Sequence, residues 1–251
     1  MQALLALTRR ELGSYFASLT GYVIIAAAAF LTGLSFVYLF GQLRAEPSPL
    51  PVTELFYITP FFWIILLLAC PVITMRTFAQ EKFSGTYETL MTAPVRDGHV
   101  VLAKFGAALA FYLVMWLPLL ACLALARRYG GETAGFEPAL LASTYLGILL
   151  VGALFLACGC FASALTRSQA VAAMLSLLLC TSLFLLSFVA ARLPTEVPAE
   201  VANLLASLAL FEQMHDFARG VVDTRPVVFF VSLTAFFLFL TLRAVESRRW
   251  K

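Results

Sequence analysis

The chain has 251 residues, 62% of them hydrophobic and 12% charged, with a mean hydropathy of +0.93. Soluble domains sit near about 45–50% apolar and about 25% charged, so a single water-soluble core of this length could not hide the apolar surplus, which must face lipid. The net charge of +3 comes from basic residues spread along the flanks of apolar runs rather than gathered on one face, which argues against nucleic acid as a partner.

Residues 1–20 read as a helix lying in the membrane interface, because Leu4, Leu5, Leu12, Tyr15 and Phe16 alternate with Arg9, Arg10 and Glu11. A secretory signal is the rival reading. The apolar stretch after Gly21 is too long for one and lacks a clear small-residue cleavage site.

Six runs then have the length a bilayer core demands, about 20 residues at roughly 1.5 Å each against about 30 Å. They are Gly21–Phe40, Phe56–Met75, Phe105–Ala126, Ala139–Leu165, Ala170–Ala191 and Pro226–Val245, and none carries a carboxylate or a histidine. The expected fold is all-α: a polytopic membrane protein of six transmembrane helices, with residues 1–251 forming one transmembrane domain. Pro60, Pro71 and Pro118 are expected to kink the second and third spans. Trp63, Trp116 and Trp250 read as interface anchors.

Between the second and third spans, residues 77–94 form the clearest amphipathic signal. In a helix over Thr77–Thr92, Phe83, Tyr87, Leu90 and Met91 make one apolar stripe, and Glu81, Gly85 and Glu88 share another face. Pro94 ends the helix, and Asp97 is placed to cap the next. The expectation is an apolar side toward the spans and an acidic side toward the cytosol. Such a segment is either an ordinary interfacial helix or a docking helix for a cytosolic partner.

The fourth span is rich in small residues, Gly147, Gly152, Ala153, Ala157, Gly159 and Ser163, which suit either close internal packing or a dimer seam. Residues 198–222 precede the sixth span. Their apolar run Val201–Phe211 is too short to cross and is followed by Glu212, His215, Asp216 and Arg219, a pattern that suggests a re-entrant or interfacial hairpin on the outer side. His215 beside Asp216 reads as a solvated pair rather than a pH sensor or metal site. The five cysteines fall inside apolar runs and read as packing residues. Arg9, Arg10, Arg76, Lys82, Arg96, Lys104, Arg167, Arg243, Arg248, Arg249 and Lys251 flank one set of span ends, against six Lys and Arg at the other, which points to cytoplasmic termini.

These residues bear on three classes of function. A gradient-driven carrier normally needs buried carboxylates or histidines in the spans, though a site of carbonyls and hydroxyls (Thr32, Ser35, Thr181, Ser182) would also serve. An intramembrane enzyme needs a nucleophile or metal motif, and no H-E-x-x-H, G-x-S-x-G or intramembrane Asp occurs. A subunit powered from outside the chain needs a handle, which residues 77–94 offer. No G-x-x-x-x-G-K-[ST] phosphate loop is present, so ATP hydrolysis would have to come from another chain.

The segment Phe78–Pro94 (FAQEKFSGTYETLMTAP) resembles the coupling helix of exporter-type (ABC-2-type) ABC transporter permeases, with Glu81, Gly85, Glu88, Leu90 and Pro94 at the motif positions. Val101–Phe105 resembles that family's entry into the third span, and Thr166–Gln169 its second cytoplasmic turn. Phe211–Arg225 (FEQMHDFARGVVDTR) resembles the segment before the last span in gliding-motility-type permeases. The resemblance implies a half-transporter in a bacterial inner membrane, paired with a second permease copy or paralogue. Two ATPase subunits carrying the ATP and Mg would dock on Glu81, Phe83, Gly85, Tyr87, Glu88, Leu90 and Pro94, with Arg167 and Ser168 as a second contact. Phe211, Glu212, His215 and Arg219 would form the outer hairpin. No catalytic residue, cofactor or metal is expected in this chain. Some members of the wider class transmit force to a periplasmic protein instead of carrying a solute.

Overall fold

The computed structural model describes residues 2–45, 50–85, 97–130, 138–191 and 210–247, and every regular element among them is helical. In chain order these are α1 (Gln2–Phe16), α2 (Leu19–Ala45), α3 (Val52–Ile58), α4 (Pro60–Thr74), α5 (Ala79–Ser84), α6 (Asp97–Met115), α7 (Leu117–Gly130), α8 (Pro138–Leu165), α9 (Gln169–Ala191), α10 (Leu210–Ala218) and α11 (Thr224–Glu246). Six stretches are long and apolar enough to cross a membrane, in the places the sequence indicates: α2, α4 with α5, α6 with α7, α8, α9 and α11.

Proline adjusts two of the expected boundaries. The second span starts at Pro60, not Phe56, because Thr59 is extended (φ −66°, ψ 146°). A residue before proline avoids the helical region, and proline itself suits the first helical position. Phe56 to Ile58 thus belong to the short α3. The third span is broken at Trp116, two residues ahead of Pro118, which has no N–H to give, and resumes as α7. Pro71, by contrast, sits inside α4, which continues to Thr74.

The core is built around α8. In its most apolar 18-residue stretch 83% of residues are buried, against 22% for α9 and 11% for α11. That places α8 on the axis and leaves the outer helices to meet lipid. Its glycines let neighbours close in, each at a different level. A Cβ at Gly147 would strike Met214 and Phe217 of α10, one at Gly152 would enter the Tyr112 ring of α6, and one at Gly159 would overlap Thr74 of α4. The small face of the fourth span is therefore an internal packing surface. The Tyr112 hydroxyl also donates to the Ile148 carbonyl at 3.1 Å, so the ring lies across α8.

Trp63 and Trp116 are core residues instead of interface anchors, 5% and 1% exposed. Phe62 bridges them, with ring centroids 5.2 Å and 5.4 Å away. Trp250 lies outside the described residues.

The bundle has two functional ends. One gathers α5, the start of α6, the end of α8 and the end of α11 around a small apolar cluster of Phe78, Val101, Cys160, Ala164 and Val245, with α1 joined through Glu11 and Lys104. The other gathers α3, α10 and the starts of α8 and α11. The first and last helices therefore share an end.

Replacing Gly152 with Ala should lower thermal stability in mild detergent by about 1–3 kcal/mol, the range for overpacking a filled core. Gly106→Ala on α6, where an added Cβ meets nothing within 4 Å, should be neutral or gain up to about 1 kcal/mol. Equal melting shifts for the two variants would contradict the packing described.

Candidate functional site

Two clusters of polar side chains hold the ends of the bundle, and each is anchored on buried ionic contacts.

At the end shared by both terminal helices, α4 stops at Thr74 and the chain turns through Met75–Phe78 into α5. The short α5 has no side-chain cap of its own. Its cap is tertiary: the Phe78 and Ala79 N–H groups both donate to Ser163 Oγ of α8, at 3.1 Å each. Ser163 in turn donates to the Met75 carbonyl at 3.3 Å. Lys82, buried, donates its ammonium to the Ala164 carbonyl, satisfying one of the open acceptors at the end of α8. Phe78 is fully buried beneath Lys104, whose ammonium lies 5.5 Å from the ring centroid.

Lys104 is the hub of this end. It is 3% exposed and meets Glu81 of α5 at 2.7 Å and Glu11 of α1 at 3.3 Å. Arg10 adds contacts to Glu11 at 2.7 Å and Glu81 at 3.7 Å, and its bond to Glu11 raises the guanidinium above its ordinary value. A buried ammonium is tolerable only with such partners. The network ties α1, α5 and α6 together.

This arrangement reverses the expected faces of α5. Glu81 is turned into the bundle, not toward the cytosol, because Lys104 needs it. Phe83, placed by periodicity on the membrane side, is 80% exposed. Lys82 and the Ser163 cap take the inward face instead. The helix also stops at Ser84, since Gly85 adopts the left-handed conformation (φ 75°) open cheaply to glycine. A single helix over Thr77–Thr92 is thus not formed. Tyr87, Glu88, Leu90 and Pro94 lie outside the described residues.

Beside Phe83 is the turn between α8 and α9. Arg167 and Ser168 are exposed there, and with Phe83, Gln169 and Ala170 they line an open groove of about 370 Å³. The structure therefore brings together Phe83 of the first contact and Arg167 and Ser168 of the second, which lie far apart in the chain.

At the opposite end, Glu54 of α3 is 1% exposed and receives His215 Nε2 at 2.9 Å and Arg219 Nε at 2.8 Å. His215 is thus paired across the fold to Glu54, not to Asp216, which is exposed. The rest of α10 is fastened from three sides. Tyr57 donates to the Phe211 carbonyl at 2.7 Å, Ser143 to the Phe217 carbonyl at 2.8 Å, and the Phe211 N–H to Ser187 at 3.0 Å. Glu212 is exposed. After α10 the chain reverses at Gly220 (φ 88°). Of the expected 198–222 hairpin, residues 198–209 lie outside the described residues; the remainder is a helix packed on α3 and α8.

Sequence reasoning passed over Glu54, and read Lys104 only as a flanking charge and Ser163 only as a small packing residue. Glu54 carried one usable signal, a lone carboxylate amid apolar residues of VTELFYI. A charge surrounded by apolar neighbours needs a partner.

The family model described as ABC-2 family transporter protein matches residues 40–244. No curated protein matches the chain.

Three substitutions probe the clusters. Lys104→Met leaves Glu11 and Glu81 facing each other and should cost roughly 2–3 kcal/mol, less than a fully buried pair because water reaches both carboxylates. Adding Glu81→Gln should recover part of that loss. Glu54→Gln should cost about 1–3 kcal/mol, the range for stripping a partner from buried donors. Thermal unfolding in mild detergent reads all three, and parent-like melting of Lys104→Met would remove the hub role.

Proposed function

The chain belongs to the ABC-2 family of transporter proteins, as a transmembrane subunit of an ABC transporter, and from that premise we propose that it is the permease half of an exporter gripped by a separate ATPase at the Phe83–Arg167 groove. The observation that carries this reading is the exposed Phe83 beside Arg167 and Ser168. A large aromatic held outward by a helix whose other face is pinned is a suitable anchor, since rigid aromatic and arginine side chains dominate interface energetics.

The docking set is Phe83 and Gly85 with Arg167 and Ser168, extended by Tyr87, Glu88, Leu90 and Pro94 of the adjoining segment. Glu81 has a different part, holding Lys104 within the permease. Two ATPase copies supply ATP and Mg beneath two permease units, the second a copy of this chain or a paralogue. The basic bias of the shared end supports cytoplasmic termini in a bacterial inner membrane. The whole of residues 1–251 acts as one permease domain. The likeness of Phe211–Arg225 supports a place near the gliding-motility-type permeases, with Phe211, Glu212, His215 and Arg219 in the outer segment.

Force has a path in this scheme. The turn at Met75–Phe78 interrupts any rigid continuity from α4 into α5. The firm joints of α5 are its bonds to Ser163 and Ala164. Closure of the ATPase dimer against α5 therefore pushes first on α8, the buried axis, and the surrounding helices shift as packed bodies.

The test is the double variant Phe83→Ala with Arg167→Glu. Both residues are exposed, so stability should stay within about 0.5 kcal/mol of the parent. Co-purification of the cognate ATPase should fall by about tenfold or more, as expected when an anchor worth at least about 1.4 kcal/mol is removed. Full retention of the ATPase would overturn the assignment of this groove. Glu81→Lys is a poor probe of docking, because it places a cation against Lys104 and Arg10.

A further inference from the structure

A polar cavity lies between α1, the start of α2 and the end of α4. It measures about 420 Å³, and Arg76, Ser18, Thr20, Gln80 and Ser14 are among its walls. Three cations border it, Arg10, Lys104 and Arg76, with two carboxylates, Glu11 and Glu81. Both carboxylates are taken up by Lys104 and Arg10. Arg76 is left over. Among the described residues no carboxylate pairs with it; Nη1 donates to Ser18 Oγ at 3.0 Å, and its buried Nε has no hydrogen-bond partner. A guanidinium on a cavity wall with no carboxylate partner is suited to a phosphate or carboxylate oxygen.

A second, wholly different cavity adjoins it. This groove of about 200 Å³ is walled only by apolar residues, from Val23 to Leu31 of α2 and from Ile65 to Val72 of α4. The small side chains Ala27, Ala28 and Ala69 open it. Ile24 and Val72 line both cavities, so the two lie side by side. The groove follows the spans for about seven residues, roughly 10 Å at about 1.5 Å per residue. Its rims Val23 and Leu68 are more than half exposed, on a surface that in a bilayer meets hydrocarbon.

We propose that the two cavities together form a site for one anionic phospholipid of the leaflet at the termini end, its phosphate bound by Arg76 and Ser18 and one acyl chain lying between α2 and α4. The depth of each part selects this occupant. α1 lies at the interface, where headgroups are, and α2 and α4 pass through the hydrocarbon layer, where only an acyl chain is at hand. A water-soluble anion satisfies Arg76 but leaves the groove to be filled by an unrelated chain. A choline headgroup adds a second cation to a cavity that already has one in excess, whereas an anionic headgroup neutralises it. The site is independent of the ATPase and of transport direction.

The experiment titrates the purified full chain in mild detergent with phosphatidylglycerol, phosphatidylcholine or inorganic phosphate, following melting temperature and counting bound lipid by native mass spectrometry. One phosphatidylglycerol per chain should bind and stabilise, with phosphatidylcholine weaker by about tenfold, the scale of one charge-assisted contact. Arg76→Gln should remove that preference for the anionic lipid. Ala27→Phe, an exposed position filling the groove, should weaken both lipids without lowering the lipid-free melting temperature. Equal binding of the two lipids to the parent, or an Arg76→Gln variant that keeps the preference, would overturn the headgroup assignment. Stabilisation by inorganic phosphate matching that of phosphatidylglycerol, with Ala27→Phe silent, would mark a free-anion site and defeat the proposal.

Discussion

Helices in lipid gain little from hiding apolar surface, since the tails are as apolar as leucine, and so they hold together by close contact and by satisfied polar groups. Nearly everything in this bundle follows from how closely its neighbours can approach α8. Gly147, Gly152 and Gly159 remove the side chain where α10, α6 and α4 press in. The void each leaves is occupied by a methionine, an aromatic ring or a threonine from the partner helix. Because each level has a different partner, α8 is locked in register along its length.

The same helix holds the two ends together. Its last turn supplies Ser163 and the Ala164 carbonyl to α5, and its first turns supply Ser143 to α10. An axial helix with firm joints at both ends can carry a displacement from one face of the membrane to the other. The ionic clusters reinforce this at the two ends of the bundle. Lys104 with its two carboxylates sits at one end, and Glu54 with His215 and Arg219 at the other. A buried charge is tolerable in such places because several donors converge on it from separate elements, which also makes those elements mutually dependent.

The proposed docking at Phe83 gives this mechanical frame a direction of use. A docking helix needs one face fixed to the permease and another free for the partner. Here Lys82 and the Ser163 cap supply the fixed face, and Phe83 stands on the free one. The polar cavity next to α1 gives the same end a second, lipid-facing character, beside a helix that the Lys104 network and the stacking of Tyr15 and Phe16 on Phe111 tie to α5 and α6.

By itself the sequence determined what depends on composition and length. Six spans, shared placement of the termini and an interruption of the third span near Pro118 follow from hydropathy, charge bias and the chemistry of proline, which act locally and leave a direct trace in the order of residues, whereas hydropathy starts the second span at Phe56, four residues ahead of its true start at Pro60. It did not determine which face of α5 points outward, or who pairs with His215. Periodicity assigned Phe83 to the membrane and proximity assigned Asp216 to His215, yet both were decided by residues far along the chain: Ser163, Lys104 and Glu54. The physical reason is that a buried charge or an uncapped helix end must find its partner wherever the packing brings one within about 3 Å. Only the tertiary arrangement of the spans around α8 specifies who that partner is.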